Sequence, residues 1–230
     1  METLSEKLAK APVFRTLDAA DREKLARLAV KKTYQKGEFL CWQDEVWPRV
    51  LYLDSGRLDW LMLSPSGKRQ SVFRLQAGSV VWAHSIFDDQ PMPASLRALS
   101  RSVVYEWPKR VIVPVVEENA KALWEIASLL VHSMRHVREV VYGCAFHSVA
   151  GRLARLLVSH YQPEEGQVVS RDLTLDEMAA IVGSTRELVC KILYRLARHQ
   201  MLEIHRRKFV FRDVEKLKAL AEGQIKLPSD

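Results

Sequence analysis

The chain has 230 residues, 48% of them apolar, and a formal net charge of +7. That is long enough for two small domains, too apolar for a disordered chain, and basic enough to suit an anionic partner, either nucleic acid or an acidic membrane face. Three scattered cysteines (Cys41, Cys144, Cys190), an N-terminus without a signal-peptide core and apolar runs no longer than stretches such as Val111 to Val116 argue against a disulfide framework, a Cys-only metal site and a membrane span. A cytoplasmic location follows as the expectation.

Residues Ser5 to Lys31 read as short helices, with Asp18 and Asp21 able to cap a segment carrying Leu25, Leu28 and Ala29 at helical spacing. From Tyr34 to Trp107 the pattern changes. Short runs rich in Val, Leu, Phe, Tyr and Trp are punctuated by Gly37, Gly56, Gly67 and Gly78. Many short strands at such turn spacing predict an antiparallel sandwich or barrel.

A long helix is predicted next. Leu123, Ala127, Leu130, Met134, Val137, Val141 and Cys144 step alternately by four and three residues. That is a heptad seam, suited to an identical partner helix. A single amphipathic helix lying on its own domain is the other reading, and Ile126, Leu129 and Val140 beside the seam suit such a contact. Both contacts together are expected, and so a homodimer. Ser148 reads as the cap of a helix from Val149 to His160, which puts a hinge near residues 146–148.

The last third holds the sharpest signal. Val168 to Leu173 suits a short strand. Thr174-Leu-Asp-Glu177 is a capping box opening a helix over Met178 to Val182. Gly183 permits a tight turn. A second helix starts at Ser184 or Thr185 and runs to His199, with Leu188, Val189, Ile192, Leu193 and Leu196 on one face. Met201 to Arg212 then reads as a hairpin with Arg206-Arg207 at its turn. This is a winged helix-turn-helix. Between Gly183 and Arg212 eight basic residues face two acidic ones, an excess of +6 in 30 residues. A charge run is commonly a solvated face. Here it coincides with a recognition helix and a wing, which points to double-stranded DNA.

The order of parts resembles the CRP/FNR superfamily of bacterial transcription regulators, over nearly the whole chain. The most specific piece is Ile181-Val-Gly-Ser-Thr-Arg-Glu-Leu-Val189 with Lys191. The resemblance implies an α+β fold in three parts. Residues 1–115 would form an antiparallel β-roll (a double-stranded β-helix of the cyclic-nucleotide-binding kind) with N-terminal helices, 116–147 the dimerisation helix and hinge, and 148–230 the winged helix-turn-helix. It implies that Arg186, Glu187 and Lys191 read bases, as an Arg fork can pair with guanine and Glu can accept from cytosine. Capping with Ser184 is the plain alternative for Glu187. Thr185, Arg195, Arg206, Arg207 and Lys208 are the expected phosphate contacts. RNA polymerase is an expected partner, and the operator an inverted repeat.

The effector region departs from the cyclic-nucleotide binders of the superfamily. After Gly78, Trp82-Ala83 stands where they carry Gly-Glu, and Pro93-Ala94 where they carry Arg-Ser or Arg-Thr. Without that Arg the cyclic phosphate lacks its charge partner, so cyclic AMP is not expected to bind. The N-terminal cysteine cluster of the iron–sulfur sensors is also missing. His84-Ser85 resembles the haem-based carbon-monoxide sensors, whose matching His is an axial iron ligand. That resemblance makes haem the alternative, with His84 and Trp82 as its candidate residues, beside a small organic effector. The sensors' second ligand is an N-terminal Pro, whereas the first proline here is Pro12, and Trp82 stands where they carry Cys. His132 and His136, one turn apart, could share a metal but have no evident third ligand. A cupin-like metalloenzyme would need a cluster of His and carboxylate ligands on the strands, and His84 is the one His between Tyr34 and Trp107. No enzyme is expected.

Overall fold

A computed structural model of the protein describes residues 2–228. Two compact units emerge. One contains the chain up to Leu63 and Val72–Val137; the other contains Ser64–Ser71 and the chain from Arg138 onward.

The first unit opens with α1 (Leu4–Leu8), a 3-10 turn (Phe14–Thr16) and α2 (Ala19–Leu28). Asp18 caps α2 by accepting from the Asp21 amide at 2.7 Å. Helix gives way to strand earlier than the sequence pattern predicts. The first strand, β1, is Val30–Tyr34, because residues 30–34 pair with residues 102–106. There follow β2 (Phe39–Cys41), β3 (Arg49–Ser55), β4 (Arg57–Leu63), β5 (Arg69–Gln76), β6 (Val80–Trp82), a short α3 (Ser85–Asp88), β7 (Ser95–Ala98) and β8 (Ser102–Pro108). They form two antiparallel four-stranded sheets, in the orders β1-β8-β3-β6 and β2-β7-β4-β5.

Strand alternation decides what each sheet face meets. On β3, Leu51 and Leu53 join Leu58, Trp60, Val81, Leu96 and Val104 in one buried cluster, whose residues come from strands of both sheets. Val50 and Tyr52 face the other way, onto a cluster shared with Leu8, Phe14, Leu25, Trp107 and Ile112. The indole of Trp107, fully buried, donates to the Leu25 carbonyl at 2.7 Å, so α2 is fastened to the sheet. Gly56 turns β3 into β4 with φ +94, and an added Cβ would lie 2.5 Å from the Arg101 carbonyl oxygen. Only glycine fits both the conformation and the space.

Then comes α4 (Lys109–Val116), a helix that the unpatterned apolar run at 111–116 did not announce, and α5 (Ala120–Phe146), a continuous helix of 27 residues. Ala122 and Ile126 of α5 are buried in the cluster with Trp107, and Leu129 packs against it.

Beyond residues 64–71, the second unit takes in the end of α5. It continues with α6 (Val149–Tyr161), capped by Ser148 through the Gly151 amide at 3.1 Å, then β9 (Val168–Ser170), α7 (Leu175–Val182), α8 (Arg186–Arg198), β10 (Leu202–Ile204), β11 (Lys208–Phe211) and α9 (Val214–Ala221). The predicted hairpin is present, and β9 adds a third strand, in the order β10-β11-β9. Leu153, Leu157, Met178, Val189, Ile192, Leu193, Leu196, Phe209, Phe211 and Leu217 share one core. At about 1.5–3 kcal/mol for each large apolar side chain fully buried, that core is what orients α8. Among the described residues, no helix is long and apolar enough to cross a membrane.

Candidate nucleic-acid interface

Local chemistry sets the helix-turn-helix. Thr174 and Glu177 form a reciprocal capping box: the Glu177 amide donates to Thr174 Oγ1 at 3.2 Å, and the Thr174 amide donates to Glu177 Oε2 at 2.8 Å. Gly183 ends α7 in the left-handed region at φ +64, and the Ser184 amide bonds back to the Ala179 carbonyl at 2.9 Å. Thr185, not Ser184, is the N-cap of α8, accepting from the Leu188 amide at 3.3 Å.

Helix α8 buries Val189, Ile192, Leu193 and Leu196, so its opposite face is presented to solvent. Arg186, Glu187 and Lys191 are all exposed there. Arg186 reaches Asp176 on α7 at 3.3 Å, an exposed pair. The nearby backbone amide of its own residue, and to a smaller extent the Thr185 hydroxyl, hold the Glu187 pKa below the ordinary carboxylate value.

The expected phosphate residues divide. Arg206, Arg207 and Lys208 are exposed at the β10–β11 turn, which closes through the His205 amide and the Lys208 carbonyl at 2.9 Å. Thr185 is exposed at the start of α8. Arg195 is not with them. Half-buried, its guanidinium donates to the carbonyls of Leu227 and Pro228. A residue that the sequence reading passed over joins the exposed face: Tyr194, 60% exposed, lies three residues beyond Lys191 and seven beyond Glu187. That spacing was the available signal.

On α5, Leu123, Ala127, Leu130, Met134, Val137, Val141 and Cys144 are all exposed. Trp124, Val131, Tyr142 and Phe146 widen this apolar face, with Trp124 77% and Met134 72% exposed. Ile126 and Leu129 face the opposite way, into the first unit, while Val140 is half-buried.

In the first unit, His84 and Trp82 are not brought together. Trp82 points into the cluster with Trp107 and Ile86, and its indole nitrogen is buried without a hydrogen-bond partner. His84 stands at the start of α3, exposed along part of its ring, with the Trp60 indole 5.6 Å away in edge contact. Trp60 meets Phe73 at 6.4 Å, and Phe73 meets His136 of α5 at 4.7 Å. His136 Nε2 bonds the Val72 carbonyl at 2.8 Å, which commits it away from His132. Burial among these groups pushes the His84 pKa down, against the smaller opposing pull of Asp88. On one side of this imidazole the place a haem would need is taken by Trp60.

At the positions matching a cyclic-phosphate site the chain carries no side-chain cation. Pro93 is exposed and Ala94 buried, and neither side chain offers a charge or a donor. Arg97, a nearby cation, is committed to the buried Asp59 carboxylate at 3.3 Å. Ser85 spends its hydroxyl within the fold, donating to the Gln90 carbonyl at 2.6 Å and accepting from the Trp47 amide at 3.1 Å. Among the described residues, no group of three His, Cys, Asp or Glu side chains is placed to hold a metal ion.

Residues 31–119 match the cyclic nucleotide-binding domain family, and residues 151–220 match the Crp-like helix-turn-helix domain family. The chain is 21% identical over 219 residues to a CRP-like cAMP-activated global transcriptional regulator of Mycobacterium tuberculosis, covering 93% of this chain and 98% of that one. Its fold is similar to a crystal structure of a CRP/FNR-family transcriptional regulator from Eubacterium rectale, with a TM-score of 0.76 at 18% identity over 92% of this chain and 98% of the other. It is also similar to the c-di-GMP responsive global regulator CLP of Xanthomonas campestris, with a TM-score of 0.75 at 16% identity over 85% and 99% of the two chains. Both domain families occur in one chain, the cyclic nucleotide-binding domain before the helix-turn-helix, and the protein belongs to the CRP/FNR family of DNA-binding transcription regulators.

Proposed function

We propose that the protein is a cytoplasmic homodimer that binds an inverted-repeat operator sequence-specifically and regulates transcription with RNA polymerase as its partner, without enzymatic activity. The observation that carries this reading is the exposed face of α8, where Arg186, Glu187 and Lys191 project from a helix seated on its own core. Such a helix enters the major groove and reads base edges, while Arg206, Arg207, Lys208 and Thr185 meet phosphate. The exposed apolar face of α5 supports the dimer, because regulators of this family dimerise and a heptad seam left in water gains by pairing.

The effector of this protein is a molecule other than cyclic AMP. The lack of any cation at Pro93-Ala94 and the commitment of Arg97 to Asp59 support that reading. The relatives themselves are described as responding to different molecules, one as cAMP-activated and one as c-di-GMP responsive. Selection of bound sequences from random duplex DNA is the direct test. Enrichment of an inverted repeat is the expected result, and recovery of unenriched DNA would refute the reading.

A further inference from the structure

Arg152 lies in the first turns of α6, yet its guanidinium reaches the ends of two other helices. Its Nε donates to the carbonyl of Val182, the last residue of α7, at 2.8 Å. Its Nη1 donates to the carbonyl of His147, just beyond α5, at 2.8 Å, and to that of Gly143, in the last turn of α5, at 3.5 Å. Carbonyls at helix C-termini carry partial negative charge and mostly lack partners within their own helix, so a cation there is favourable; the Gly143 carbonyl also accepts from the His147 amide at 3.1 Å, and Arg152 is its second donor. The planar fork of arginine, with its several fixed donors, serves all three carbonyls at once; a lysine ammonium is a single point of charge. Gly143 is buried against this side chain, with Arg152 Cδ 3.8 Å from where its Cβ would be. On the far side of the same joint, Arg155 donates to His147 Nε2 at 3.0 Å and to the Ala221 carbonyl at 3.2 Å.

Val182 immediately precedes Gly183, the turn from which α8 departs. The end of α5 continues the apolar seam through Val141 and Cys144. We propose that Arg152 is a positioning residue for DNA readout: by tying Val182 to the end of α5, it fixes the direction in which the recognition helix leaves the dimer helix. It thereby sets the separation of half-sites that the dimer accepts. This rests on the reading of the protein as a dimer on an inverted repeat.

The experiment is binding selection on duplexes that hold two half-sites at graded separations, run with the native chain, Arg152→Met and Arg152→Lys. The native chain should enrich one separation sharply. Arg152→Met should keep the same bases within each half-site, accept a wider range of separations, and bind the native spacing about tenfold more weakly, a change of about 1.4 kcal/mol. Arg152→Lys, which keeps the charge but not the fork, should fall between them. A purely stabilising role would weaken binding at every separation alike and leave the profile's shape unchanged, which overturns the proposal. Should Arg152→Met not fold, the Arg152→Lys profile decides in the same way. If the native chain itself selects no inverted repeat, the dimeric reading fails and takes the proposal with it. If the native chain selects one fixed spacing and a folded variant shares that profile, the proposal alone fails.

Discussion

The imidazole of His84 meets the indole of Trp60 edge-on, with ring centroids 5.6 Å apart and planes at 68°. Trp60 in turn belongs to the buried cluster whose strands come from both sheets. Trp60 thus occupies one side of His84, the residue named as a candidate haem ligand. Calorimetry with cyclic AMP and cyclic GMP should show no saturable heat at low micromolar concentration, and the freshly purified protein should lack a Soret band. Trp60→Ala should lower stability by about 3–5 kcal/mol, the usual cost of removing a large buried aromatic side chain. Saturable micromolar binding of cyclic AMP by the native chain would show that Pro93-Ala94 does not stand where the phosphate would lie.

The seam on α5 makes assembly testable. Replacing both Leu130 and Met134 by Glu would set like charges opposite one another at a two-fold axis. Light scattering should then report a dimer for the native chain and a monomer for the double variant. A native monomer would contradict the reading.

DNA contacts separate by kind. In the proposed dimer two recognition helices related by the dimer axis would enter successive major grooves, so half-sites should be centred roughly 34 Å, or ~10 base pairs, apart. Arg186→Ala should cost about 1–3 kcal/mol per half-site and relax preference at one base pair. Replacing Arg206 and Arg207 by Ala should weaken binding to all sequences alike and flatten the salt dependence. If Arg186→Ala retained full specificity while the wing variant changed the preferred bases, α8 would not be the reading helix.

Acid stability turns on Glu125. Its carboxylate accepts from Arg15, with Arg15 Nε at 2.8 Å, and from the Val13 amide. Val13 is fully buried with φ 69, an unusual conformation for a β-branched residue. The Arg15 bond is the main cause that holds the Glu125 pKa below its ordinary value. A carboxylate depressed in the folded state contributes stability that is complete above its unfolded pKa of about 4.3 and is lost as pH falls through the folded value. Thermal melts of the native chain and Glu125→Gln should therefore differ by a constant margin between about pH 5 and 8, and converge on acidification below about pH 4. A margin that grew on acidification would reverse the sign and reject the assignment.

What could be read from sequence was local chemistry and long periodicity. The Thr174–Glu177 box, the Gly183 turn and the heptads of α5 each depend on residues a few positions apart, and the chain alone displays them. The start of β1 at Val30 depends on pairing with β8, over 70 residues away. Helix α3 is four residues long, too short for any period to register. Trp82 and His84 looked like neighbours in one site, but strand register turns Trp82 toward Trp107 instead. Arg195 sits among the basic residues of the recognition helix, while its carbonyl partners, Leu227 and Pro228, are more than 30 positions along the chain. Side-chain direction, unlike helix period, is settled by distant contacts.

Helix α5 is continuous from Ala120 to Phe146, while the two compact units divide within it, after Val137. Five of the seam residues therefore belong to one unit and two, Val141 and Cys144, to the other. A gene fusion that exchanged sensory domains at that division would inherit the proposed pairing surface from two parents. Chimeras of this protein should keep one parent's α5 whole, because the helix is a unit of inheritance larger than either compact half.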